Sequence, residues 1–176
     1  MTSIVYVNGA FVPEADAKIS VFDRGFLFAD GIYEVSAVLD GKLVDNALHL
    51  ARLARSGGEI GALMREMVDR NALREGLVYL QVTRGAESGR NFPFPKEAKP
   101  SLVMFCEKKA YADAPAAKTG IKVKSVADLR WARRDIKSVA LLAQVLAKQE
   151  ASAAGCQEAW MHEEGVVTEG GSSTAY

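Results

Sequence analysis

Lys137 is the residue whose surroundings most invite covalent chemistry. It follows Arg130, Arg133 and Arg134 in the string DLRWARRDIKS, and the sequence predicts a long helix from about Lys137 to Ala154. Neighbouring positive charges and the positive end of a helix dipole both disfavour an ammonium group. A lysine held toward neutrality is a nucleophile that forms an imine with a carbonyl compound. The competing interpretation is a solvated basic surface ahead of an ordinary helix, and Asp135 offsets part of the charge.

Glu169 closes a predicted strand and is followed at once by Gly170, Gly171, Ser172 and Ser173. Small residues there let backbone approach a ligand, and their N–H groups and hydroxyls can bind an anion; a polar hairpin loop is the plainer alternative. Arg52 falls three residues after His49 on a predicted helix, so both project from one side. An arginine so placed can clamp a phosphate through two parallel hydrogen bonds, or simply face solvent. Tyr33 and Glu34 are consecutive on a predicted strand and point to opposite faces, so at most one enters any given cleft. No GxGxxG, Walker A, GxSxG or HExxH pattern occurs. Cys106 and Cys156 lack CxxC spacing, and with His49 and His162 as the two histidines no metal site is expected.

The elements that must position these residues belong to an ordinary globular composition. The 176 residues are 49% hydrophobic and 25% charged, and 22 Lys plus Arg balance 22 Asp plus Glu. A zero formal charge argues against nucleic acid or an anionic membrane as the main partner. The apolar stretch from Val139 to Ala147 is broken by Gln144 and is too short to span a bilayer. The start, MTSIVYVNG, has no basic region leading into a long apolar run, and the cysteine usage fits a reducing cytoplasm.

A first hairpin is predicted from Ile4–Val7 through Asn8-Gly9 to Phe11-Val12, with Pro13 ending it or placing it at a sheet edge. A second runs from Ile32 to Leu39, turns at Asp40-Gly41 and returns through Leu43-Val44. Helical spacing begins near Asn46, breaks at Gly57-Gly58, and resumes from Glu59 to Asp69. Strands follow at Leu77–Val82 and Leu102–Cys106, separated by a Gly/Pro-rich loop long enough to be functional or disordered. Ala110–Gly120 has the small, polar composition of a linker. Beyond it a strand at Ile121–Val126, the long helix ending at Gly155, and a hairpin of Glu158–His162 with Val166–Glu169 complete the pattern.

Five ordered blocks carry a family resemblance: DRGFLFADGIYEV, HLARL, YLQVTRG, DLRWARRDIKSVALLAQVLAKQEA and VTEGGSS. Together they resemble the D-amino acid transaminase branch of the fold-type IV pyridoxal-phosphate enzymes, over nearly the whole chain. The resemblance implies an α/β (α+β) fold of two lobes with pyridoxal 5'-phosphate between them. The N-terminal lobe, with an antiparallel sheet, would span residues 1–112, a linker 113–120, and the start of a C-terminal cofactor-binding lobe 120–176. It implies that Lys137 holds the cofactor as an internal aldimine and moves the proton between substrate α-carbon and C4′. Glu169 would face the pyridine nitrogen, Arg52 would bind the phosphate, and Ser172 and Ser173 would line the cofactor. Tyr33 would sit beside the substrate carboxylate, with Glu34 near the lysine.

The same resemblance implies a homodimer acting on an amino acid and a 2-oxo acid, with an Arg-x-His pair reaching across the interface to hold the substrate carboxylate. Here the loop reads ESGRNF: Arg90 is present, Phe92 stands where the histidine belongs, and the spacing from VTRG is one residue longer. Related readings are a branched-chain L-amino acid aminotransferase and a 4-amino-4-deoxychorismate lyase. A cofactor-binding module without turnover is the alternative of a different class. Family members continue past the VTEG strand, so the expectation is that 176 residues represent a fragment with an incomplete C-terminal lobe.

Overall fold

The computed structural model describes residues 2–53 and 57–174. The chain divides into two compact units, Met1–Ala112 with Lys137–Val139, and Asp113–Ile136 with Ala140–Tyr176.

The first unit is built on a six-stranded sheet of order β2-β1-β6-β5-β3-β4, with every neighbouring pair antiparallel. β1 (Ile4–Val7) and β2 (Ala10–Pro13) are joined by Asn8 and Gly9, both at positive φ, the geometry that an Asn-Gly hairpin turn requires. β2 lies at the sheet edge, where Pro13 needs no ladder partner for its missing N–H. β3 (Gly31–Leu39) turns at Asp40-Gly41 into β4 (Lys42–Leu43), while β5 (Gly76–Thr83) and β6 (Ser101–Lys108) fill the centre. α1 (Arg24–Phe28) precedes β3 and is capped by the Asp23 side chain, which accepts from the Gly25 N–H at 2.8 Å.

α2 (Asn46–Leu53) and α3 (Gly57–Arg70) cover one face of this sheet. Gly57 and Gly58, expected to break the helical pattern, lie inside the first turn of α3; the connection at 54–56 is outside the described residues. Period-2 alternation turns Val38, Val78, Leu80 and Met104 toward α3, where they meet Met64, Met67, Val68 and Leu73 in a dry core. The opposite face carries Tyr33, Tyr79 and Phe105, stacked across three strands with centroids 5.6 and 4.7 Å apart.

The second unit is a three-stranded sheet. β7 (Val123–Ala127) runs parallel to β8 (Glu158–Glu163), as a strand–helix–strand connection through α5 (Leu142–Ala153) permits. β9 (Val166–Gly170) returns antiparallel to β8. A short helix, α4 (Pro115–Thr119), lies within the segment read as a linker. The core is small, with Val126, Ala147, Ala151, Ala159 and Met161 buried. Gly155, at φ +70°, follows the end of α5 as its composition suggested.

Asp128 ties this unit together. Its carboxylate, fully shielded, accepts from Arg130 Nε at 3.0 Å and Arg130 Nη2 at 2.8 Å, and from Thr168 Oγ1 of β9 at 2.6 Å. The Arg130 hydrogen bonds hold its pKa well below the usual carboxylate range, against the opposing effect of burial.

Two outcomes follow for stability. Met104→Ala, which empties a fully buried position, lowers unfolding free energy by about 2–5 kcal/mol in denaturant titration, whereas exposed Leu48→Ala shifts it by less than about 0.5 kcal/mol. Asp128→Asn lowers it by about 2 kcal/mol at neutral pH, followed by the fluorescence of Trp131 and Trp160, both in the second unit. Because the folded-state value is depressed, that deficit is constant above the unfolded carboxylate range and shrinks as pH falls below about 4.

Candidate active site

Lys137 is not at the start of a helix. α5 begins at Leu142, and residues 137–139 are extended. They add a short antiparallel strand to β3: Tyr33 N–H donates to the Lys137 carbonyl at 3.1 Å, and Val139 N–H to the Gly31 carbonyl at 3.0 Å. Ile32 pairs with Ser138, so the register places Lys137 opposite Tyr33. Cross-strand neighbours share a face of the sheet, and their side chains meet. Lys137 Nζ donates to Tyr33 Oη at 3.3 Å and lies 4.4 Å from the centre of its ring.

The arginines that precede the lysine do not form a field of unbalanced charge. Arg130 is paired with Asp128, Arg133 with Asp135 at 2.7 Å, and Arg134 with Glu163 at 2.6 Å. Both premises of the sequence argument for a lysine held toward neutrality, the helix terminus and the excess positive charge, are therefore replaced. What singles out Lys137 is its partner: a half-buried side chain whose Nζ lies on a phenol and its π-face, with no ion-pairing carboxylate among the described residues.

Glu34, one residue from Tyr33, points to the other face. It is 1% exposed, and its Oε2 lies 2.9 Å from His49 Nδ1 on α2. Ser36 Oγ donates to Asn46 Oδ1 at 2.8 Å, so two alternate residues of β3 fasten α2 to the sheet. α2 carries Arg52, whose side chain lies outside the described residues. On the lysine's face, Tyr79 donates to Gln81 Oε1 at 2.9 Å, and burial together with Tyr33 pushes its phenol up to about 12. Tyr79 therefore stays uncharged at neutral pH. Burial also pushes the Cys106 thiol up to about 11, which disqualifies it as a thiolate nucleophile.

The loop between β5 and β6 is held in place by residues whose role the sequence did not disclose. Asp23, 2% exposed, accepts from Thr83 Oγ1 at 2.9 Å and from Ser101 Oγ at 2.7 Å, on the two strand ends that flank the loop. Arg24, 4% exposed, donates to carbonyls in the loop itself. Arg90 is exposed, with its guanidinium 5.2 Å from the Phe28 ring centre and 4.9 Å from that of Phe92. The DRG string beside a predicted strand was the available signal, but only the folded chain shows what it grips.

In the second unit, Glu169 is half-buried near the end of β9. Its Oε1 accepts from the Gly170 N–H at 3.2 Å, and among the described residues no cation pairs with it. Ser172 and Ser173 are exposed on the loop beyond. Ser172 Oγ donates to Glu158 Oε2 at 2.9 Å, and Lys148 Nζ lies 3.1 Å from the other oxygen of that buried carboxylate. A Cβ at Gly171 would press on both Lys148 and Glu158, so the loop turns this tightly only with glycine. Glu158, like Asp23 and Arg24, is a residue that sequence reasoning passed over; its charge at the head of a core strand was the clue.

Taken separately, each group suits pyridoxal phosphate: Lys137 Nζ, with no carboxylate against it among the described residues, would condense with an aldehyde, and Glu169, with no cation beside it, would hold the proton of a ring nitrogen.

A sequence model of the family described as amino-transferase class IV matches residues 31–176. The D-alanine aminotransferase of Staphylococcus aureus strain MSSA476 is 42% identical over 186 residues, covering 98% of this chain and 64% of the relative. That of Staphylococcus epidermidis strain RP62A is 39% identical over 183 residues, with the same coverage. Among solved structures, the branched-chain amino acid aminotransferase of Escherichia coli superposes with a TM-score of 0.84 at 20% identity, over 97% of this chain and 63% of that one, a likeness of fold. The chain thus spans about 64% of the length of the curated relatives it matches. The strand that carries Tyr33, the helix that carries Arg52, the lysine and the VTEG hairpin all fall within the family match, and the chain belongs to the class IV aminotransferases.

Proposed function

We propose that this chain carries the reacting groups of a pyridoxal-phosphate-dependent transaminase that exchanges an amino group between a D-amino acid, such as D-alanine, and a 2-oxo acid. The carrying observation is the pairing of residues 137–139 with β3, which sets the Lys137 amine against Tyr33. The names borne by the curated relatives support D-alanine as donor. When bound, the cofactor supplies an electron sink for the substrate carbanion.

The chain's own residues do the rest. Lys137 Nζ would hold the cofactor and serve as the base that moves the substrate α-proton, and Tyr33 Oη fixes the direction of that amine. Glu169 would hold the proton on the ring nitrogen, Arg52 would bind the phosphate, and Ser172 and Ser173 would line the cofactor with the backbone that Glu158 holds. Glu34 braces α2 through His49. Arg90 meets the substrate carboxylate, with Phe92 supplying an aromatic surface under it. We place the protein in the cytoplasm as a homodimer whose Arg90 loop serves the neighbouring site; no described helix is long and apolar enough to cross a membrane. The lobes follow the boundaries 1–112 and 120–176 joined by 113–120.

Borohydride reduction of the cofactor-loaded protein, followed by peptide mass spectrometry, gives a pyridoxyl adduct on Lys137; an unmodified Lys137 refutes the reading. Single-turnover absorbance changes occur with D-alanine and not with L-leucine, and the reverse result assigns an L-specific enzyme instead. An adduct without amine exchange marks a binding module. Lys137→Ala lowers turnover by about 10³-fold or more. Tyr33→Phe, which keeps the ring and deletes the hydroxyl acceptor, lowers kcat by about tenfold.

A further inference from the structure

Arg24 is a cation with almost no solvent contact, and its hydrogen bonds go to an unusual set of partners. Nη1 donates to the Asn91 carbonyl at 2.6 Å and the Pro93 carbonyl at 3.3 Å, and Nη2 to the Phe92 carbonyl at 3.0 Å. Nε donates to Asp30 Oδ2 at 2.8 Å, an oxygen shared with Arg84 Nε at 2.8 Å. Burial opposes the charge on Asp30, but these two arginines outweigh it and hold the carboxyl below its usual range. Phe28 lies 4.8 Å from the Arg24 guanidinium carbon, on the same short helix, and Phe94 at 6.0 Å. A five-donor planar fork is what three successive carbonyls plus a carboxylate require; an ammonium could not span them.

The segment so gripped is the one that presents Arg90. Its immediate successors Asn91, Phe92 and Pro93 supply the carbonyls that accept from the fork, and Phe28, which packs on Phe92 at 5.0 Å, lies under both guanidinium groups. We infer that Arg24 is a positioning residue for Arg90: it fixes the loop tip so that substrate affinity depends on a side chain that never touches substrate. The inference rests on the reading of Arg90 as the carboxylate-binding residue.

The test uses the cofactor-loaded full chain with D-alanine as donor, in the variants Arg24→Lys, Arg90→Met and their double combination. Arg24→Lys raises KM about tenfold or more with kcat changed less than about twofold, and trypsin cleaves after Arg90 at least about tenfold faster than in the parent. In the Arg90→Met background, which itself raises KM, the Arg24→Lys effect on KM disappears, because it acts through the missing side chain. A raised KM in Arg90→Met with KM and cleavage unmoved in Arg24→Lys overturns the inference alone, as does full additivity of the two effects. An unmoved KM in Arg90→Met overturns the reading of Arg90 and the inference with it. Should Arg24→Lys fail to fold, Asp30→Asn loosens the same guanidinium from its other side and is judged by the same two measurements.

Discussion

Three backbone residues, Lys137–Val139, pair with the open edge of β3, and the position of the Lys137 amine against Tyr33 hangs on that pairing. Main-chain hydrogen bonds fix register more strictly than side-chain contacts do, because a slip of one residue would turn the lysine to the opposite face. The pairing joins positions 104 residues apart in sequence. β4 is short enough to leave Gly31–Tyr33 free for it, since its own pairs with β3 involve only Val38 and Leu39. The brevity of one edge strand thus makes room for the segment that bears Lys137.

Charge in this protein is organised locally and in pairs. The arginines around Lys137 each hold a carboxylate, Asp128 links β7 to β9, and Glu158 gathers Lys148 and Ser172 around the loop after Glu169. Glu158 shows the balance of effects: burial raises its acidity constant's pKa, while the Ala159 N–H, Lys148 and the two serines bring it down further than burial lifts it. Lys137 and Glu169 lie outside these pairs, with no ionic partner among the described residues.

The parts legible in the sequence were those with local causes. Asn8-Gly9 and Asp40-Gly41 announced their hairpins because positive φ is required there and those residues tolerate it. Alternating apolar residues marked β5 and β6 with errors of one or two positions at their ends. The start of α5 was misplaced because Val139 and Ala140 lead without a break signal into the apolar run of the helix, while pairing with β3 holds Lys137–Val139 out of it. The grips of Asp23 on Thr83 and Ser101, and of Arg24 on the following loop, join residues 60 to 78 positions apart and leave no periodic trace. For the site, residue types and order pointed to Lys137, while its actual neighbour, a phenol rather than a helix terminus, came from tertiary structure.

Arg24 recognises the loop by its main-chain carbonyls, and every amino acid carries the same carbonyl. The identities of the residues at 91 and 92 are therefore largely decoupled from the path of the chain through them. Lineages could exchange a histidine for a phenylalanine, or the reverse, at the mouth of the site without rebuilding its frame. Such a grip turns a stretch of loop into an evolvable cassette: its chemistry can be rewritten one side chain at a time while its address in the fold stays constant.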